Sequence, residues 1–260
     1  MTSTTLMANG ANVYTIGPKQ TDLDKIAKVY NDPAQTTPDP GCDRSEALRL
    51  AEEVSERERH VTVLFDNAGI TDARAPRPAA PTAAEFRKAF LDGVSKEAFP
   101  NMNAVGLYWL TFAFRCSRSG RSTRRARAFA PQVIMTSSMN GRTKMRAPRR
   151  PAGHSYPYMF SKFAIGRATS SLAHELLPLG VRVDGTAPGL FVTSMNTLGQ
   201  VDELGRFLLE VPAMQPGPQS LLGGSNKDVD TLALCLVANW YVNGERGTLL
   251  QTLLKHPSSY

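Results

Sequence analysis

Short runs of apolar residues alternate along the chain with longer segments in which apolar residues recur at helical spacing. The apolar runs lie at residues 12–16, 60–65, 132–136 and 181–187. Strands that are apolar throughout are buried on both faces, as in a parallel sheet that helices cover on each side. The pattern therefore predicts a doubly wound α/β fold, which at 260 residues fits one domain spanning residues 1–260.

The segments between these runs predict the helices. Helical spacing covers residues 21–30, 43–56, 83–114 with a break at Pro100, 158–177 and 229–238. Asp43 and Glu46 have the spacing of a capping box at the start of the second helix. Ligands of such sheets bind beyond the carboxyl ends of the strands. The polar residues that follow the apolar runs are therefore the candidates for a functional site.

The segment SYPYMFSK, residues 155–162, places two tyrosines and a lysine at the start of the longest predicted helix. Tyr158 precedes Lys162 by four residues, so their side chains share a helix face, whereas Tyr156 precedes it by six and points elsewhere. Tyrosine has a free pKa of about 10 and transfers protons poorly unless its phenolate is stabilised. The spacing predicts that Lys162 supplies this stabilisation, although Tyr158 alone also suits a half-buried aromatic residue at a helix start.

The net charge of +7 is concentrated in one part of the chain. Residues 115–150 carry eleven Lys or Arg and no acid, so the rest of the chain has 19 basic and 23 acidic residues. The basic stretch has no aromatic stacking platform and no groove-reading motif. We interpret it as solvated loops that help to attract an anionic cofactor, and we expect no nucleic-acid partner.

The cysteine pattern and the apolar runs indicate the compartment. Cys42, Cys116 and Cys235 are far apart and lack metal-ligand spacing, so we expect no metal site and a reducing environment. No apolar run approaches the roughly 18–20 residues of a membrane span. The amino-terminal residues lack the basic and apolar regions of a secretory signal. These features predict a cytoplasmic protein without a membrane partner.

Four motifs at the ends of predicted strands resemble the short-chain dehydrogenase/reductase family, and within it the fungal ketoreductases. They are LFDNAGI at residues 64–70, IMTSSMNG at 134–141, the pair Tyr158 and Lys162, and VRVDGTAPGLFVTSM at 181–195. Each motif is weak alone, but four of them in the family's order are not expected by chance. The resemblance implies a Rossmann-type sheet and an oxidoreductase that interconverts a carbonyl and a secondary alcohol by hydride transfer with a nicotinamide coenzyme, acting on a small-molecule substrate.

The resemblance also implies a catalytic set of Asn103, Ser138, Tyr158 and Lys162. Ser138, which alone suits a polar cap at a strand end, would hydrogen-bond the substrate oxygen as a small oxyanion hole. Asn103 would anchor a water that relays protons. Tyr158 and Lys162 would also contact the coenzyme, with the lysine at the nicotinamide ribose. Family members associate, so a homo-oligomer, either a dimer or a tetramer, is expected.

The remaining coenzyme contacts follow from the same resemblance. Asn67 would contact the adenosine part, and Phe191 and Thr193 would bind the carboxamide end. Asp66 stands where the family has the first asparagine of its motif. Lys19 follows the first apolar run, where no acid is present, and a cation there accommodates the phosphate of NADP. The sequence therefore favours NADP(H) over NAD.

One family feature has no counterpart in this sequence. The family begins with a strand and a Gly-rich turn whose amides hold the coenzyme pyrophosphate. Here TTLMANGA, residues 4–11, resembles the second half of the helix that follows that turn. We therefore expect weak coenzyme binding and a gap in the middle of the sheet. The alternative interpretation is a non-catalytic remnant that keeps the reductase shape without turnover.

Overall fold

The fold is taken from a computed structural model. It describes residues 2–17, 20, 21, 23, 24, 35–38, 44–69, 79, 80, 82–88, 104–114, 130–141, 155–189, 226–239, 241–244, 246 and 247. The helices are α1 (Thr2–Ala8), α2 (Arg44–Arg57), α3 (Ala83–Arg87), α4 (Gly106–Ala113), α5 (Tyr156–Glu175) and α6 (Asn226–Ala238). The strands are β1 (Tyr14–Gly17), β2 (Gln35–Pro38), β3 (Val63–Asp66), β4 (Gln132–Thr136), β5 (Arg182–Thr186) and β6 (Arg246–Gly247). None of these described helices has both the length and the apolarity that a bilayer span requires.

The described strands form two parallel sheets. β1 pairs with β2, and a second sheet has the order β3-β4-β5-β6. In the second sheet Met135 of β4 lies beside Asp66 of β3 and Gly185 of β5. Among the described residues no strand pairs with the outer edge of β1 or of β3. Because β3, β4 and β5 run parallel, their carboxyl ends share one edge of the sheet, which is where the sequence motifs lie.

The core lies between β4, β5 and α5, and helices cover both faces of these strands. Its buried members are Leu107, Val133, Met135, Ile165, Leu172, Ala173, Leu176, Val181 and Val183. On the opposite face of the sheet Gln132 Nε2 donates to Asp184 Oδ2 at 2.8 Å and to the Leu236 carbonyl of α6 at 3.0 Å. Successive residues of a strand point to opposite faces, so β4 and β5 are packed on both sides. The predicted doubly wound α/β class is confirmed.

A second apolar cluster links β1 to the larger sheet. Leu50 and Val54 of α2 are buried with Phe114, and Ile16 of β1 and Leu64 of β3 pack against them. β1 and β3 are half-buried along most of their length, whereas β4 and β5 are almost wholly buried. Side-chain packing therefore holds β1 against the larger sheet in the described part of the chain.

The predicted ends of the strands and helices agree best with the observed ends where the apolar pattern is strongest. The strand predicted at residues 132–136 is confirmed at both ends, whereas the one predicted at 60–65 begins at Val63 because His60 and Thr62 are exposed. The helix predicted from Tyr158 begins two residues earlier, at Tyr156. β2 and β6 were not among the strands inferred from the apolar runs. Much of residues 21–30 and 83–114, and the predicted cap at Asp43, lie outside the described residues.

Candidate active site

The start of α5 brings Tyr158 and Lys162 together. Ser155 has an extended backbone, and its Oγ accepts the Tyr158 N–H at 3.3 Å, so the helix is capped just before Tyr156. One turn later the Lys162 ammonium lies 5.8 Å from the centroid of the Tyr158 ring. Tyr156 is 41% exposed and packs against Phe160 instead. Of the two tyrosines, Tyr158 is therefore the one that shares a site with Lys162.

Lys162 is a buried cation held at the end of β4. Its side chain is only 4% exposed, and Nζ donates a hydrogen bond of 2.8 Å to the Thr136 carbonyl. Burial lowers the pKa of Lys162 to about 8, because a charged ammonium is disfavoured away from water. Lys162 therefore remains mostly protonated at neutral pH but loses its charge in mildly alkaline solution.

Ser138 meets Tyr158 from the adjacent strand end. β4 ends two residues earlier, and a 3₁₀ turn at Met139–Gly141 follows. Ser138 is buried, its Oγ accepts the Asn140 N–H at 3.2 Å, and its hydroxyl lowers the pKa of the nearby Tyr158 phenol. The Met139 N–H donates to the Pro188 carbonyl at 3.1 Å, which ties the turn to the segment after β5. The hydroxyl groups of Ser138 and Tyr158 therefore lie near each other, although they come from different elements of the fold.

The phenol of Tyr158 is in its neutral form at neutral pH. Burial raises the pKa of Tyr158, and the Ser138 hydroxyl acts in the opposite direction. Both effects come from the surroundings of the helix rather than from the lysine one turn away. Stabilisation of a Tyr158 phenolate by Lys162 stays a prediction. A neutral phenol carries a proton that it can donate.

Gly141 allows the turn after β4 to lie directly on α5. A Cβ atom at this position would stand 2.6 Å from the Lys162 carbonyl carbon and 2.6 Å from the Phe163 nitrogen. Both are backbone atoms of a helix, so a side chain would push the turn away rather than rotate aside. Gly141 therefore holds Ser138 within reach of Tyr158. The sequence analysis included Gly141 only as the last residue of the motif IMTSSMNG and gave it no role of its own.

The end of β3 adds a buried carboxyl group to the same edge of the sheet. Asp66 is 3% exposed, and its Oδ2 accepts a hydrogen bond of 3.2 Å from Thr111 Oγ1 of α4. Burial raises the pKa of Asp66 to about 7, and the hydrogen bond from Thr111 partly opposes this effect. The next residue, Asn67, is exposed. The sequence drew attention to Asp66 and Asn67 but gave no signal for Thr111.

Four of the predicted site residues lie outside the described residues, namely Lys19, Asn103, Phe191 and Thr193. The described part of the chain brings Ser138, Tyr158 and Lys162 together and places Asn67 at the neighbouring strand end. This arrangement can donate a proton to an oxygen atom that gains negative charge beside Ser138. It can also present an ammonium group to a polar ligand at the carboxyl edge of the sheet.

Known proteins resemble this chain in both sequence and fold. It is 25% identical over 237 residues to the short-chain dehydrogenase/reductase PhomF of Diaporthe leptostromiformis, covering 89% of this chain and 77% of PhomF. The NADP active-site complex of RhlG from Pseudomonas aeruginosa has a TM-score of 0.67 at 19% identity, covering 96% of this chain and 90% of RhlG. The 3-ketoacyl-(acyl-carrier-protein) reductase of Brucella melitensis complexed with NADH has a TM-score of 0.65 at 17% identity, covering 95% and 90%. Residues 1–203 match the family model described as short chain dehydrogenase. The chain therefore belongs to the short-chain dehydrogenase family.

Proposed function

We propose that the protein interconverts a small-molecule carbonyl and a secondary alcohol with NADP(H), using Asn103, Ser138, Tyr158 and Lys162. Membership of the family makes the chain an oxidoreductase that acts on CH–OH groups with a nicotinamide coenzyme. The observation that carries the proposal is that the Ser138 hydroxyl acts on the buried phenol of Tyr158, beside the buried ammonium of Lys162. Such a group of donors is what a developing alkoxide needs.

The donors at this edge of the sheet suit the nicotinamide end of the coenzyme. Lys162 has three N–H donors, of which one bonds to Thr136, so its ammonium is placed to bind ribose hydroxyls. Asn67, which is exposed and directly follows β3, presents a carboxamide for the adenosine part. When bound, the coenzyme supplies the hydride. The protein supplies the proton and the positioning.

Tyr158 carries out the proton transfer. As the carbonyl oxygen gains negative charge, the O–H bond of Tyr158 breaks and the proton forms the hydroxyl of the alcohol. Ser138 donates a hydrogen bond to the same oxygen and keeps it against the phenol. The ammonium of Lys162 stabilises the phenolate that remains on Tyr158 until a proton from solvent replaces the one transferred. The reverse sequence of steps oxidises the alcohol.

Replacing Ser138 by alanine tests the oxyanion role. We expect Ser138→Ala to lower kcat/KM for ketone reduction by about 10²-fold, because one preorganised donor to the oxyanion is lost. Ser137→Ala is the matched control, since Ser137 is also buried but its Oγ donates to the Thr186 carbonyl at 2.9 Å. Steady-state kinetics should show the large loss only for Ser138→Ala. Equal losses in the two variants would mean that Ser138 acts through folding alone.

The choice of NADPH depends on Lys19. The two solved relatives were obtained with NADP and with NADH respectively, so the preference has to come from this chain's own residues. A lysine beside the 2′-phosphate adds a charge-assisted hydrogen bond, from which we expect NADPH to bind about tenfold more tightly than NADH. Lys19→Glu should remove or reverse this preference. Calorimetric titration with both coenzymes measures it, and equal affinities in the parent protein would contradict the assignment.

We also propose that the protein is a homo-oligomer in solution. Phe160 and Phe163 on α5 are 57% and 64% exposed, which is unusual for two large apolar side chains one turn apart. Burial of these rings against a second copy would remove apolar area from water. Light scattering coupled to size-exclusion chromatography should give a multiple of 28.3 kDa. A monomeric mass at micromolar concentration would refute this part of the proposal.

A further inference from the structure

The carboxyl group of Asp66 is buried where two strand ends of the site meet. It accepts a hydrogen bond from Thr111 and lies at the last position of β3, just before the exposed Asn67. Its neighbour in β4 is Met135, three residues before Ser138. The proton transfer proposed above does not use this group. A charge on Asp66 would act at the ends of both β3 and β4, where the coenzyme is proposed to lie.

The described elements that pack around β3 bring no cation to Asp66. β4 carries no titratable side chain, and α4 carries only the half-exposed Tyr108. From α5, the Lys162 ammonium bonds to the Thr136 carbonyl, and the Tyr158 phenol is influenced by the Ser138 hydroxyl. α2 turns apolar side chains toward the shared cluster. Of its charged side chains, Arg49 pairs at the surface with Glu46 and Glu53, and Arg57 pairs with Glu53. The remaining three, Arg44, Glu52 and Glu56, are exposed. Burial is therefore the main influence on this carboxyl group, and it favours the neutral form.

We propose that Asp66 links coenzyme binding to the uptake of a proton, with the neutral carboxyl group as the form that binds the dinucleotide. The inference rests on the proposed function, because it requires the coenzyme to lie against the end of β3. A dinucleotide brings at least two phosphate charges to this edge of the sheet. A buried carboxylate repels them with little screening by salt, whereas a neutral carboxyl group does not. By linkage, the bound coenzyme must in turn favour the protonated form of Asp66.

The size of the effect follows from the same linkage. Suppose that the bound coenzyme raises the pKa of Asp66 from about 7 to about 8. The affinity then falls about eightfold between pH 6 and pH 9, and binding at pH 7.5 takes up about half a proton. Lys162 and the 2′-phosphate of NADPH titrate in the same range. Both groups remain when Asp66 is replaced by asparagine, so the difference between the two proteins isolates Asp66.

The test is calorimetric titration of NADPH into the parent protein and Asp66→Asn at pH 6, 7.5 and 9. Repeating the pH 7.5 titration in phosphate and in Tris, whose ionisation enthalpies differ, gives the number of protons taken up. We expect the parent to take up about half a proton more than Asp66→Asn and to lose about eightfold more affinity from pH 6 to pH 9. Equal proton uptake with NADPH binding intact would overturn this inference and leave the proposed function standing. Absence of NADPH and NADH binding at every pH would overturn both.

Thr111→Val is a second variant that tests the role of Asp66 in proton uptake while keeping its carboxyl group in place. The hydrogen bond from Thr111 favours the ionised form of Asp66, so its removal raises the pKa of Asp66 further. Proton uptake should then reach its maximum at a higher pH than in the parent. If Asp66→Asn does not fold, this comparison decides the matter alone, and unchanged uptake across the pH range would overturn the inference.

Discussion

Tyr158→Phe is expected to lower kcat for carbonyl reduction by about 10³-fold, because it removes the proton donor and leaves the ring in place. The substitution keeps the helix cap, since Ser155 bonds to the backbone nitrogen of residue 158 and not to the phenol. Circular dichroism should therefore show an unchanged fold. The assay is NADPH oxidation with a saturating ketone at pH 7, where burial keeps the parent phenol protonated.

Tyr156→Phe is the matched control for this substitution. Tyr156 lies on the same helix two residues earlier, but it is half-exposed and packs against Phe160. Its loss of a hydroxyl should change kcat by no more than about threefold, within the usual effect of a surface substitution. Greater damage from Tyr156→Phe than from Tyr158→Phe would remove Tyr158 from the catalytic role.

Lys162→Met is expected to lower kcat/KM by about 10²-fold at pH 7 while stabilising the folded protein. Methionine fills similar volume but removes the cation that stabilises the phenolate and binds the ribose. The gain in stability follows from the burial of the ammonium, which lowers its pKa from 10.5 to about 8. Charging it in the folded state costs about 3 kcal/mol relative to the unfolded chain. A residue that costs stability and is needed for turnover has a functional role.

The pH dependence gives this prediction a definite sign. The unfolded chain binds more protons than the folded one between about pH 8 and pH 10.5, so the contribution of Lys162 to stability rises with pH across this range. The free energy of unfolding of Lys162→Met should therefore exceed that of the parent protein most below pH 8 and little near pH 10.5. The kcat/KM of the parent should fall as the pH rises through about 8, and Lys162→Met should lack this limb. Urea denaturation and pH-rate profiles measure the two effects. A variant that loses both stability and activity at pH 7 would indicate that Lys162 only supports the fold.

The part of the fold that is predictable from the sequence is the part that apolar burial determines. Residues 132–136 are buried almost throughout, and their apolar centre, Val133–Met135, marks β4 in the sequence. β2 has the sequence QTTP, in which proline is the only apolar residue, and β6 has only two residues. Both depend on pairing with strands distant in sequence, and a local pattern contains no information about such pairing.

The candidate site also contains both contacts that the sequence predicts and contacts that it does not. The pairing of Tyr158 with Lys162 follows from helix geometry alone, because a spacing of four residues fixes it. Asp66 and Thr111 are 45 residues apart, and Gly141 meets the backbone of Lys162 from another element, so neither contact has a local signal. The stabilisation of a Tyr158 phenolate by Lys162 remains a prediction from helix spacing. The burial that raises the pKa of Tyr158 depends on the whole core, so no local pattern contains it.

We propose that the site around Ser138, Tyr158 and Lys162 reduces a carbonyl with hydride from a nicotinamide coenzyme. The most direct measurement is transfer of deuterium from NADPH labelled at C4, with ethyl acetoacetate and cyclohexanone as the carbonyl probes and mass spectrometry of the product alcohol. We predict that the parent protein places one deuterium on the carbinol carbon with label on one face of the nicotinamide and none with label on the other. Tyr158→Phe should do so about 10³-fold more slowly. Tight binding of NADPH without deuterated alcohol from either ketone would contradict this account and support the non-catalytic alternative.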